Sequence, residues 1–93
     1  MLNLSQLRKR IDRLDDHIIL LLNRRLRLAE KIGGLKACHG ERVYNPERER
    51  ELLTRLCINQ KGPLKDADLR AIYRRIFQAS RDHQARVLKK RKR

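Results

Sequence analysis

From residue 4 onward a large aliphatic side chain returns every third or fourth position: Leu4, Leu7, Ile11, Leu14, Ile18, Leu21 and, after one missing beat, Leu28, Ile32 and Leu35. That spacing keeps one side of an α-helix apolar along its length and predicts a single helix over about residues 3–38. The pair Gly33-Gly34 weakens such a helix by about 1 kcal/mol per glycine. The stripe nevertheless runs on through Leu35, so the glycines mark a close backbone approach rather than a break. In a chain of 93 residues, which buries only a modest fraction of its surface, a helix this long leaves much of its apolar side uncovered. The stripe therefore predicts a second copy of the chain as its cover, in a helical dimer.

The remainder divides into two shorter helices. Gly40 is suited to ending the first helix, and Asn45-Pro46 to starting the next, with Asn as cap, Pro at the first helical position and Glu47 in the first turn. A second helix is expected over about 46–60, with Leu52, Leu53 and Leu56 on its apolar face, before Lys61-Gly62-Pro63 breaks the chain. A third, over about 66–89, carries Leu69, Ile72, Tyr73, Ile76, Val87 and Leu88. The fold class is thus all-α, three helices in one domain over 1–93, and with 3% aromatic residues the core has to be aliphatic. The longest uninterrupted apolar run, Ile18 to Leu22, is far short of the roughly 20 residues that span a bilayer, and the N-terminus has no secretory pattern, so a cytoplasmic location is expected. Cys38 and Cys57 are too few for a disulfide framework and read as free thiols.

The net charge is +14. Such an excess suits either a nucleic-acid backbone or a small anionic ligand. Five of those charges sit in the last five residues, Lys89 to Arg93, which read as a solvated, flexible tail, and +9 remains for the other 88 residues.

A helical protein with a ligand pocket places polar side chains where the period calls for apolar ones, since burying them unpaired costs a few kcal/mol each. Four positions qualify: Arg25 in the missing beat of the long stripe, Glu49 one turn before Leu53, and Ser80 with Gln84, one turn apart on the third helix. Lys36 follows Arg25 by eleven residues, three turns along nearly the same face, so both cations can aim at one ligand. Arg8, seventeen residues before Arg25, lies about 25 Å away along a continuous helix. If Arg8 serves the same pocket, it comes from a second, antiparallel copy, and a dimer then has two pockets. Each position also has a local reading: Arg25 snorkelling, Glu49 pairing with a basic neighbour, Ser80 and Gln84 in a polar network, and Asn45 as a plain cap. His17, His39 and His83 lack metal-ligand spacing, and no phosphate loop, dinucleotide fingerprint or Ser-His-Asp grouping occurs.

Taken in order, Leu7-Arg8-Lys9-Arg10-Ile11-Asp12-Arg13-Leu14-Asp15, Asn23-Arg24-Arg25, Lys36, Pro46-Glu47-Arg48-Glu49 and Ser80-Arg81-Asp82-His83-Gln84 cover nearly the whole chain. Together they resemble the AroQ-type chorismate mutases, all-helical enzymes of aromatic amino-acid biosynthesis in the shikimate pathway that convert chorismate to prephenate. The resemblance implies an intertwined homodimer whose long helices pair. Each site would use Arg25, Lys36, Arg48, Glu49, Ser80 and Gln84 of one chain and Arg8 of the other. Asn45 stands where many members carry aspartate; its amide can still hydrogen-bond a substrate hydroxyl, without the charge.

The implied reaction is a unimolecular pericyclic rearrangement of a dianion, with no metal, cofactor or nucleophile. Arg8 and Arg25 would clamp the two carboxylates in the reactive geometry. Lys36 and Gln84 would donate to the ether oxygen as negative charge grows on it, and Gln84, being neutral, imposes no requirement for acid pH. Glu49 would accept from the ring hydroxyl, Arg48 would support nearby acidic groups and Ser80 would donate toward a carboxylate. Two other readings remain: an isochorismate-pyruvate lyase of the same fold, and a basic helical nucleic-acid-binding module, favoured by the pI of about 11.1 but not by Glu49, Ser80 and Gln84.

Overall fold

The computed structural model describes residues 1–91. It consists of three α-helices, α1 (Leu4–Cys38), α2 (Pro46–Asn59) and α3 (Asp66–Arg91), with no strand among the described residues. Local chemistry sets the ends. Asn3 Oδ1 accepts the Gln6 N–H at 2.9 Å while Gln6 Oε1 accepts the Asn3 N–H at 2.9 Å, a reciprocal cap that opens α1. Its other end closes at Gly40, whose φ of +70° lies in the left-handed region glycine enters freely. Asn45 Oδ1 accepts the Arg48 N–H at 3.1 Å, with Pro46 at the first helical position, and so starts α2. Helix α3 continues to Arg91, past the end expected near residue 89, because Lys and Arg are good helix formers and no breaker intervenes. Of the basic tail, Lys89 and Lys90 are thus helical and exposed, while Lys92 and Arg93 lie outside the described residues.

Both other helices pack on α3. Between α2 and α3 lies a small core of Leu52, Leu53 and Phe77, with Leu56 and Tyr73 against it, and the Tyr73 and Phe77 rings meet edge to face at 5.9 Å. The sequence pattern put Ile72 rather than Phe77 on the buried stripe of α3. In the structure Phe77 is 4% exposed and Ile72 49%. The reason is that α3 has two neighbours on different sides, so its apolar surface is wider than one stripe. The Tyr73–Phe77 row faces α2, while Ile72 and Ile76 line an outward groove with Ile18 and Leu22 of α1.

The stripe of α1 is left about half uncovered by the rest of the chain. Its nine aliphatic residues from Leu4 to Leu35 are 44–63% exposed, and the buried residues of α1 are Ala29 and Gly33. The molecule measures 57 × 30 × 15 Å, with a radius of gyration of 16.8 Å against about 12 Å for a compact chain of this length. No helix among the described residues is long and apolar enough to cross a membrane, and Cys38 and Cys57 are free thiols.

Candidate functional site

Where α1 crosses α3, side-chain size sets the spacing. A Cβ on Gly33 would lie 3.2 Å from Gln84 Cγ, so the absence of a side chain there lets Gln84 pack directly on α1. Gln84, 7% exposed, donates through Nε2 to the Ala29 carbonyl at 2.6 Å, one turn before Gly33. One turn earlier on α3, buried Ser80 accepts a hydrogen bond from Arg25 Nη1 at 2.8 Å, and the Arg25 guanidinium also lies 5.6 Å from the Phe77 ring centre. The guanidinium in the missing beat of the stripe is therefore turned inward, onto α3. His83 Nε2 and Glu30 Oε1, 2.5 Å apart, tie the same two helices beside this contact.

Arg25, Phe77, Ser80 and Gln84 form one wall of a cleft of about 290 Å³. Helix α1 contributes Arg25 and Lys36, α3 contributes Ser80 and Gln84, and the start of α2 contributes Asn45, Arg48 and Glu49. Lys36 Nζ reaches the Val43 carbonyl at 3.4 Å, which draws the α1–α2 connection toward the cleft. Leu28, Ile32, Val43, Leu52 and Phe77 supply apolar wall between the charges. With Arg81 added, four cations face one carboxylate, an arrangement suited to a small, rigid molecule carrying more than one negative charge.

Seven of the eight residues singled out from sequence thus line one cleft. Arg8 does not: it is exposed near the start of the uninterrupted α1, about 25 Å from Arg25. Asn45 both caps α2 and lines the cleft, so its two readings are compatible. Glu49 also proves to have the basic neighbour considered for it: Arg81 Nη1 donates to Glu49 Oε2 at 2.5 Å. Arg81 escaped the period-breaking criterion because it follows Ser80 by one residue, on the shoulder of the α3 face rather than its centre; that adjacency was the available signal. Among the described residues, no three His, Cys, Asp or Glu side chains gather as a metal site.

Residues 7–85 match the family model described as chorismate mutase type II. The bifunctional chorismate mutase/prephenate dehydratase of Aquifex aeolicus (strain VF5) is 40% identical over 83 residues, covering 85% of this chain and 23% of that protein; the chain thus spans about a quarter of that relative's length. Among solved structures, chorismate mutase from Helicobacter pylori in complex with prephenate superposes with a TM-score of 0.87 at 37% identity, covering 92% of this chain and 93% of that one. Chorismate mutase (form II) from Thermus thermophilus gives 0.86 at 39% identity, covering 88% and 93%.

Proposed function

The chain belongs to the chorismate mutase type II family, and from that membership we propose that it rearranges chorismate to prephenate, in aromatic amino-acid biosynthesis, as a homodimer whose clefts each take Arg8 from the opposite chain. The observation that carries the reading is the convergence of Arg25, Lys36, Asn45, Arg48, Glu49, Ser80 and Gln84 on one cleft from three separate helices. The exposed stripe of α1 supports the dimer, since nine large aliphatic side chains in a row exceed what a folded monomer usually leaves in water.

The hydrogen bonds within the chain suit each residue to its part. Gln84 uses one amide N–H on the Ala29 carbonyl, which fixes the plane of the amide and leaves the second N–H for the ether oxygen of the substrate. Ser80 accepts from Arg25, so its own hydroxyl proton is free to donate to a carboxylate, while the guanidinium is held with further N–H groups to spare. Lys36 is tied to Val43 by one long hydrogen bond and keeps two N–H groups. As the ether C–O bond lengthens, charge grows on its oxygen, and donors already aimed there stabilise the transition state more than the ground state. The arginines hold the enolpyruvyl arm over the ring, which removes much of the entropic part of the barrier.

The test is loss of chorismate absorbance on adding purified protein, with the product identified as prephenate, and isochorismate supplied in a parallel reaction. Prephenate from chorismate is the expected result. Pyruvate released from isochorismate, with chorismate untouched, would overturn it.

A further inference from the structure

Arg81 is the cation of the cleft that already holds a carboxylate. Its Nη1 donates to Glu49 Oε2 at 2.5 Å, whereas Arg25, Lys36 and Arg48 have no acidic partner among the described residues. The guanidinium is itself fixed from two further directions. Its Nη2 donates to Gln78 Oε1 at 2.9 Å, Gln78 is in turn held by Nε2 to Asp82 Oδ1 at 2.9 Å, and the guanidinium carbon lies 4.7 Å from the centre of the Tyr44 ring. Gln78 and Asp82 belong to α3, Tyr44 to the α1–α2 connection and Glu49 to α2. A planar guanidinium held in this way fixes the place and angle at which it holds the Glu49 carboxylate, which an ammonium on a flexible stem does not do.

We propose that Arg81 is a positioning residue of the cleft: it clamps one oxygen of Glu49, so that the other is offered to a hydroxyl of the ring substrate. The assignment rests on the mutase reading above. The clamp has an electrostatic side as well. Without Arg81, the Glu49 carboxylate is free to swing to another cation of the same cleft, and would then occupy a charge needed by the carboxylates of the substrate. Arg81 keeps the protein's own anion apart from the cations that bind the substrate's, and so favours substrates presenting a hydroxyl donor at Glu49 and carboxylates elsewhere.

A bland alternative exists, since a residue joining α2, α3 and the connection could simply hold the fold together. The two roles separate in a double-mutant cycle on steady-state constants, with thermal melting measured in parallel. Arg81→Met is expected to raise KM for chorismate about tenfold with kcat within about twofold, because the Glu49 contact is made in ground and transition states alike. In a Glu49→Gln background the same change should alter KM by less than about twofold, because the residue it acts through is already altered. Arg81→Lys should fall between wild type and Arg81→Met, and if Arg81→Met does not fold the cycle is read from Arg81→Lys. Equal losses in both backgrounds, or no loss in either, overturn the assignment while leaving the mutase reading intact. Wild-type protein with no turnover of chorismate overturns both.

Discussion

At the scale of single residues, the arrangement depends on one hydrogen atom. Gly33 stands where any side chain would press on Gln84 Cγ, and Gln84 is the buried amide aimed into the cleft. Gly33→Ala should therefore lower kcat/KM roughly tenfold, a displacement of a few tenths of an ångström scaled from ~10²-fold per ångström. Its melting temperature should move little, because alanine is favoured over glycine in a helix by about 1 kcal/mol, which offsets the crowding. Unchanged kinetics would show that Gln84 is not set by this contact. The close approach at Gly33 was legible in the sequence, as a glycine pair inside an unbroken stripe, and so were the polar residues at apolar beats. The partners of Glu49 and His83 were not. Both pairings join residues of different helices, and a periodic pattern says which side of a helix is apolar but not which rotamer on the next helix meets it.

At the scale of elements, boundaries were legible wherever a capping residue wrote them. Gly40 and the Asn45-Pro46 pair place the end of α1 and the start of α2 within a residue of expectation, whereas the Asn3 cap that opens α1 was found only in the structure. The end of α3 lacked such a signal and the helix ran further. Phe77 was missed for a related reason: a helix with two neighbours has two apolar rows, and the expected set of Leu69, Ile72, Tyr73 and Ile76 followed the row facing α2 only as far as Tyr73, one turn short of Phe77. The basic end of α3 lies more than one turn beyond Gln84, and Lys89 and Lys90 are exposed. Removing Lys89 to Arg93 should leave turnover of chorismate within about twofold of the full chain, since Lys89 and Lys90 are exposed and do not line the cleft, and the pull of exposed charges is weakened by ordinary salt. If turnover collapses while circular dichroism shows the helices intact, the basic end belongs to the site.

At the scale of the whole molecule, the governing dimension is the length of α1. Arg8 and Arg25 lie on one rigid rod, too far apart for one small ligand, so their joint use requires a second chain running the other way. Arg8→Ala and Arg25→Ala should each be nearly inactive, yet their mixture should recover about a quarter of wild-type sites: random exchange makes about half the dimers mixed, and each mixed dimer has one intact cleft. A mass-tagged chain verifies the exchange. Mixed dimers with no recovered activity would mean that Arg8 does not serve the opposite cleft. The same rod also has a place in time. All nine exposed aliphatic side chains of the stripe belong to α1, and Ser80 and Gln84 follow its last residue by more than forty positions. At about 5–20 residues per second of synthesis, the surface for pairing exists some seconds before the α3 side of the cleft does. If the proposed dimer forms during synthesis, two nascent chains on neighbouring ribosomes of one message meet through α1 first, and the α3 residues of the cleft are then added to a pair that is already assembled.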